Sequence, residues 1–253
     1  MTIDIHCHLP YLVYNEIKNL NSHADRPEII ISSCTYLFEY EKIKDMPNIE
    51  ISVGVHPQAV DFDSEKCIDF FESLPVILKN YKISAIGEIG YDLHPSNRPI
   101  EEQEYFFLKQ LELAKKFSFP VIIHCRNAFE KLFESLEKTA FDLPVIFHGY
   151  SGGFKYLDTI KKKGYIISFG LPLTYENSSK LRRIVGMLPI EQILTETDSP
   201  FCCSYRGQER SFPFMVKNVT QKIAEIKNLD FKEVEQKITE NARRIFHEKR
   251  KKK

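Results

Sequence analysis

Nothing in the 253 residues approaches a membrane-spanning run; a bilayer needs about twenty consecutive apolar residues, and no such stretch occurs. Net charge is absent too, 35 Lys and Arg standing against 35 Asp and Glu. The six cysteines (Cys7, Cys34, Cys67, Cys125, Cys202, Cys203) include no C-x-x-C pair, so closed zinc sites built on four thiolates are not expected and the thiols read as reduced core residues. The first 20 residues carry Asp4, His6 and His8 where an export signal would have a basic start and an apolar stretch, so a cytoplasmic protein is expected. Linkers, low-complexity tracts and long internal repeats are missing as well.

The charge balance is uneven along the chain. "ARRIFHEKRKKK" at the end holds seven Lys or Arg and one acid, leaving 28 basic against 34 acidic residues elsewhere. A body with a net charge of about minus six has no broad basic face for gripping duplex DNA, where affinity comes mainly from phosphate neutralisation. The tail reads first as a solvated end. With 43% hydrophobic and 28% charged residues the chain has the makings of a packed core. Its length suits one barrel domain, residues 1–248, followed by a basic tail, 249–253.

Eight short β-branched runs punctuate the sequence: "TIDI", "EIIIS", "IEISVGV", "KISAIG", "PVIIH", "PVIFH", "YIISFG" and "QILTE". Several are continuously apolar, as strands buried on both faces are. Helical signals lie between them. "RPIEEQEYFFLKQLELAKKF" places Tyr105, Leu108, Leu111 and Leu113 at helical spacing, with acids in its first turn and lysines in its last. "NAFEKLFESLEK" carries Phe129, Leu132, Phe133 and Leu136, and Asp230 with Glu233 forms a capping-box pattern before the last helix. Alternating strand and helix, eight times over, predicts an α/β fold: a single (β/α)8 TIM barrel of the metal-dependent hydrolase type.

"DIHCH" at the start is the anomaly. In a strand, Asp4, His6 and His8 share one face. Further polar residues close other strands: Glu88 after "ISAIG", His124 and His148 at the ends of "PVIIH" and "PVIFH", and Asp198 after "QILTET". A barrel gathers the carboxyl ends of its strands on one face, so four imidazoles and two carboxylates are expected to meet there. That donor set suits zinc, manganese or iron, and six donors exceed what one four-coordinate ion requires; the expected cofactor is a pair of divalent ions, Mg, Mn or Zn. Two divalent ions bridged by Glu88 are inferred. Any one of these histidines alone reads more simply as a hydrogen-bonded packing residue; together they do not. His56 in "GVHP" is expected to support the ligands rather than join them, and His23, His94 and His247 are expected in solvent.

The strings "DIHCHL", "GVHPQ", "GEIGYD", "EEQ", "PVIIHCRNA", "HGYSGG", "YIISFG", "ILTETDSP" and "ITENARRIF", in this order, resemble the TatD family of metal-dependent deoxyribonucleases within the amidohydrolase-like barrels. The resemblance implies a first ion held by His6, His8, Glu88 and Asp198 and a second held by Glu88, His124 and His148. It also implies hydrolysis of DNA phosphodiesters, often as a 3′ to 5′ exonuclease on single strands. This chain departs from the family pattern at Asn127, at Gly149-Tyr150-Ser151, at Ser211 and at Tyr91.

The expected function is therefore cleavage of DNA ends or short oligonucleotides by a monomer, away from membranes, with water activated by two ions. Asp198 and Glu88 are the candidate catalytic groups. Arg126 and Arg206 are candidate phosphate contacts, and His56, Asp92 and Glu196 are candidate supports. Two other readings compete: hydrolysis of a small-molecule ester, lactone or amide at the same ions, and a metal-stabilised protein without catalysis.

Overall fold

A computed structural model describes residues 2–202 and 209–247. Arg206 and the basic tail lie outside the described residues.

All eight apolar runs are strands: β1 Ile3–Cys7, β2 Ile29–Cys34, β3 Glu50–Val53, β4 Ile83–Asp92, β5 Val121–Arg126, β6 Val145–Phe147, β7 Ile166–Phe169 and β8 Ile193–Thr195. They pair in parallel, each with the next, in one eight-stranded sheet. Their inward side chains are almost wholly buried, which is why the runs read as apolar. First and last strands meet through Thr195 Oγ1, which donates to Ile3 O at 2.8 Å, and through Asp198 N, which donates to His6 O at 3.0 Å. The result is a nearly closed barrel.

Helices fill the connections: α1 Tyr14–Ser22, α2 Leu37–Ile43, α3 Glu65–Asn80, α4 Ile100–Phe117, α5 Phe129–Lys138, α6 Leu157–Lys163, α7 Ser179–Met187, α8 Val216–Lys227 and α9 Phe231–Phe246. The first two are short, as their connections require. Asp230 caps α9 by accepting Lys232 N at 2.8 Å. Among the described residues no helix is long and apolar enough to cross a membrane.

The face of α4 differs from the expected stripe. Of the four stripe residues Leu111 is buried, Leu108 and Leu113 pack partly buried against the core and Tyr105 is 47% exposed, while Gln103, Phe106, Phe107 and Gln110 are buried beside them. The two glutamines occupy core positions because each satisfies backbone that no ladder reaches. Gln103 Oε1 accepts Asp92 N at 2.8 Å, and Gln110 Oε1 accepts Val55 N at 2.6 Å. They clamp the ends of β3 and β4 to the helix, beside His56 and Asp92.

Candidate metal centre

On β1 the alternation works as expected. Ile5 and Cys7 turn outward to the helices, while Asp4 and His6 turn inward and are fully buried. The two inward residues have different fates. Asp4 accepts Thr197 N at 3.0 Å and Thr197 Oγ1 at 2.6 Å, so it fastens the loop after β8 and does not reach the centre. His6 makes no hydrogen bond with either ring nitrogen although both are buried. Leaving such groups unpartnered is costly.

His6 Nε2 faces Glu88, which stands in the middle of β4 and is 3% exposed. Glu88 Oε1 lies 3.3 Å from His6 Nε2 and 3.4 Å from His8 Nε2. Asp198 Oδ1 completes this group, 3.7 Å from His6 Nε2 and 3.4 Å from His8 Nε2. The other oxygen, Oε2, lies 3.2 Å from His148 Nε2, 3.5 Å from His124 Nδ1 and 3.5 Å from His56 Nε2. One carboxylate therefore divides two sets of donors. Donor atoms of His6, His8 and Glu88, of His6, His148 and Asp198, and of His56, Glu88 and His124 lie within 4.8 Å of one another in each group.

The backbone brings these groups close by unusual means. Gly90, with φ of +141°, lets β4 approach β5 so tightly that a Cβ there would lie 2.1 Å from His124 O. Asp198 itself has φ of +55°, in the left-handed region that Asp tolerates better than most residues. Asn127, next to Arg126, has φ of +59°. Asn and Asp share that tolerance, so Asn at this departure from the family pattern serves the same turn.

Carboxylates stand behind the imidazoles. Asp92 Oδ2 lies 3.0 Å from His124 Nε2 and accepts Gln58 Nε2 at 2.8 Å. Glu196 Oε1 lies 3.1 Å from His148 Nδ1 and accepts Gly149 N at 2.8 Å. Such partners fix the tautomer and ring orientation of a ligating histidine.

Electrostatically the cluster is tightly linked. Burial works against the Glu88 carboxylate, but His6, His148 and His56 around it hold it well below the usual carboxylate range. Burial likewise opposes a charge on His148, yet Glu196 and Glu88 push it up to about 10. His8 is pushed up to about 9, its own burial outweighed by Asp198 and Glu88. Burial lowers His6 and His56, although Glu88 works against it in both.

The donors open into a pocket of about 440 Å3, lined by His8, His56, Glu88, His124, His148 and Asp198 together with Tyr11, Thr35, Tyr36, Glu39, Gln58 and Phe201. A larger cavity, about 690 Å3, lies at the opposite end of the barrel around Pro144, Gly164 and Glu191 and has none of these donors.

All six donors inferred from the sequence thus meet. His56, expected behind them, presents Nε2 to Glu88 at the same distance as His124 Nδ1. Arg126 is exposed at the end of β5 and does not line the pocket. Of the histidines expected in solvent, His94 and His23 are exposed, the latter stacked on Phe214. His247 instead pairs with Glu50 at 2.7 Å. Cys7, Cys34, Cys67 and Cys125 are free and buried, and none reaches the donors. Tyr11, Tyr36, Glu39 and Phe201 carried no signal in the sequence, because the connections after β1, β2 and β8 bring them to the pocket.

Residues 3–247 match the family described as TatD related DNase. The chain is 32% identical over 257 residues to YabD, an uncharacterized metal-dependent hydrolase of Bacillus subtilis (strain 168), covering 97% of this chain and 99% of that one. It is 31% identical over 254 residues to the uncharacterized metal-dependent hydrolase MJ1582 of Methanocaldococcus jannaschii, covering 96% of each. The crystal structure of the TatD homologue YjjV from Escherichia coli K12 superimposes with a TM-score of 0.86 at 26% identity, over 98% of both chains. A match of this extent in sequence and in fold makes the chain a member of the TatD family, and a metal-dependent hydrolase.

Proposed function

We propose that the protein hydrolyses phosphodiester bonds of DNA, working from the 3′ end of single strands, with two divalent ions (Mg, Mn or Zn) at the Glu88 centre. One observation carries this reading: a single buried carboxylate presents its two oxygens to two separate sets of imidazoles. The family description supports the choice of DNA.

The residues fit such ions. His6 is buried and neither ring nitrogen makes a well-formed hydrogen bond, and a cation shared with Glu88 would give Nε2 a partner. His6, His8, Glu88 and Asp198 would hold one ion; Glu88, His124 and His148 would hold the other. When bound, the pair supplies Lewis acidity toward the phosphoryl oxygens and toward the attacking water.

The chain's own groups do the rest. Asp198, kept ionised by His8 and His148 in spite of its burial, stands at the pocket and accepts the proton of the attacking water. Asp92 and Glu196 hold His124 and His148 in one tautomer. His56 lines the same pocket, so its ring can hydrogen-bond a substrate oxygen. Arg126, outside the pocket lining, and Arg206 are proposed to meet phosphates further along the strand.

The experiment is a time course with 5′-labelled single-stranded DNA and Mg2+, Mn2+ or Zn2+, beside metal analysis of the purified protein. Chelator-sensitive shortening from the 3′ end is expected. Turnover confined to small esters would move the site to that substrate class instead.

A further inference from the structure

The pocket has an unequal mouth. Six of the thirteen exposed large apolar side chains among the described residues (Tyr11, Val13, Tyr14, Leu37, Phe38 and Phe201) come from the loops and first helical turns after β1 and β2 and from the loop after β8. All three connections open on the carboxyl face of the barrel, so the exposed apolar surface is concentrated beside the Glu88 centre. Apolar surface gathered in one place marks a contact site.

Its composition narrows the contact to one that rings can make. Phe201 is 59% exposed, with its ring 5.2 Å from the His8 ring and 5.0 Å from the Tyr11 ring. Tyr36 lines the same pocket and stacks on Phe38 at 5.7 Å, nearly parallel. Tyr11 is held in place while 40% of it faces solvent. Its hydroxyl donates to Glu39 Oε1, and Arg210 Nη2 donates to its carbonyl at 2.8 Å. Glu39 is 1% exposed, and its second oxygen accepts Thr35 N at 2.6 Å at the start of α2. A buried carboxylate thus fixes one exposed ring relative to the loop that carries another. That is preorganisation of a surface, since little side-chain freedom is left to lose on contact.

We infer that Tyr11, Tyr36 and Phe201 form a stacking platform for the unpaired nucleobases next to the bond held at Glu88. The inference rests on the proposed nuclease reading and names how that substrate is gripped. Charge points the same way. The chain outside its last twelve residues carries 28 basic against 34 acidic residues, so phosphate neutralisation by side chains is a weak source of affinity. Stacking of bases on aromatic rings does not depend on charge, and every base offers a face. Duplex ends, whose bases are already paired and stacked, gain nothing from the rings, so single strands are preferred.

The test uses the metal-loaded full chain and two oligonucleotides of one length, one normal and one with abasic residues flanking the cleaved bond. Phe201→Ala and Phe201→Leu are each expected to raise KM for the normal strand about tenfold, the scale of one lost base–ring contact, with kcat little changed and Phe201→Tyr restoring the wild-type value. On the abasic strand the wild type loses at least that factor and the substitutions add nothing. An equal KM for both strands in the wild type, or full activity in Phe201→Leu, overturns the platform while leaving the nuclease reading intact. If no DNA is cleaved with any metal, the nuclease reading fails separately, and binding of a phosphorothioate strand carrying 2-aminopurine decides the platform. Quenching that is lost in Phe201→Leu supports it, and quenching unchanged by the substitution overturns it. Concentration-dependent self-association of the wild type that Phe201→Ala abolishes assigns the patch to protein contact and also overturns it.

Discussion

Asp92 Oδ2 sits 3.0 Å from His124 Nε2, so a proton on Nε2 has an acceptor on the side away from the centre, and Nδ1, 3.5 Å from Glu88 Oε2, is the nitrogen left to a metal. The role of Asp92 follows from this one contact. Asp92→Asn puts an amide there whose N–H prefers the opposite tautomer. A loss of about 10- to 100-fold in metal affinity or activity is expected, read by metal content and kcat. Glu196→Gln should act the same way through His148. Wild-type kcat with full metal content in both variants would remove the orienting role.

Glu88 turns one oxygen to each donor set. Glu88→Ala should reduce hydrolysis to background and lower metal content for both ions while the barrel stays folded, as judged by circular dichroism. Full activity on every ester tested would remove the bridge. A variant that keeps one equivalent of metal and loses only the second would show that the two donor sets fill independently.

Metal uptake should displace protons. In the metal-free protein His8 and His148 are pushed up to about 9 and about 10, so both carry protons at pH 7. A metal takes only the unprotonated ring. Apparent affinity should therefore rise between pH 7 and 9, with protons released from both rings, measurable by calorimetry in buffers of different ionisation enthalpy. The stability of the metal-free protein follows the opposite course. A raised imidazole value contributes stability that is complete below the unfolded 6.5 and is lost as pH climbs through about 9 and 10. The melting temperature of chelator-treated protein should fall across that window by more than that of metal-loaded protein.

Gly90→Ala should be severely destabilising. The added carbon would meet His124 O at 2.1 Å on a backbone with φ of +141°. Strain and overlap together make a loss of about 3 kcal/mol or more the expected scale, read by denaturant unfolding. An unchanged midpoint would mean that β4 and β5 can separate at no cost.

Much of this was legible in the sequence, for a physical reason. Parallel strands buried on both faces read as apolar runs, and each of the eight runs is a strand. Residues at their carboxyl ends must converge, which is how His6, His8, Glu88, His124, His148 and Asp198 could be grouped across nearly two hundred positions. Legibility failed where polar side chains do structural work inside. Gln103 and Gln110 join Leu111 in the core while Tyr105 stays exposed, because unpaired backbone at Asp92 and Val55 needed them. Asp4 shared the pattern of His6 and His8 but belongs to Thr197. The rim of Tyr11, Tyr36 and Phe201 depends on where loops run, which no local period encodes.

The bond between Asp4 and Thr197 also sets an order of events during synthesis. The carboxylate that emerges first from the ribosome stays without its partner until the residues near 197 have been made, so β1 cannot be finally seated before β8 and the turn beyond it exist. Seven strands can pair in sequence as they appear, but the seam between the two ends closes late, through contacts of the greatest sequence separation. His8 and Asp198 face each other across that same seam. A growing chain therefore has no finished metal centre, and hydrolytic capacity arrives only with the last quarter of the polypeptide.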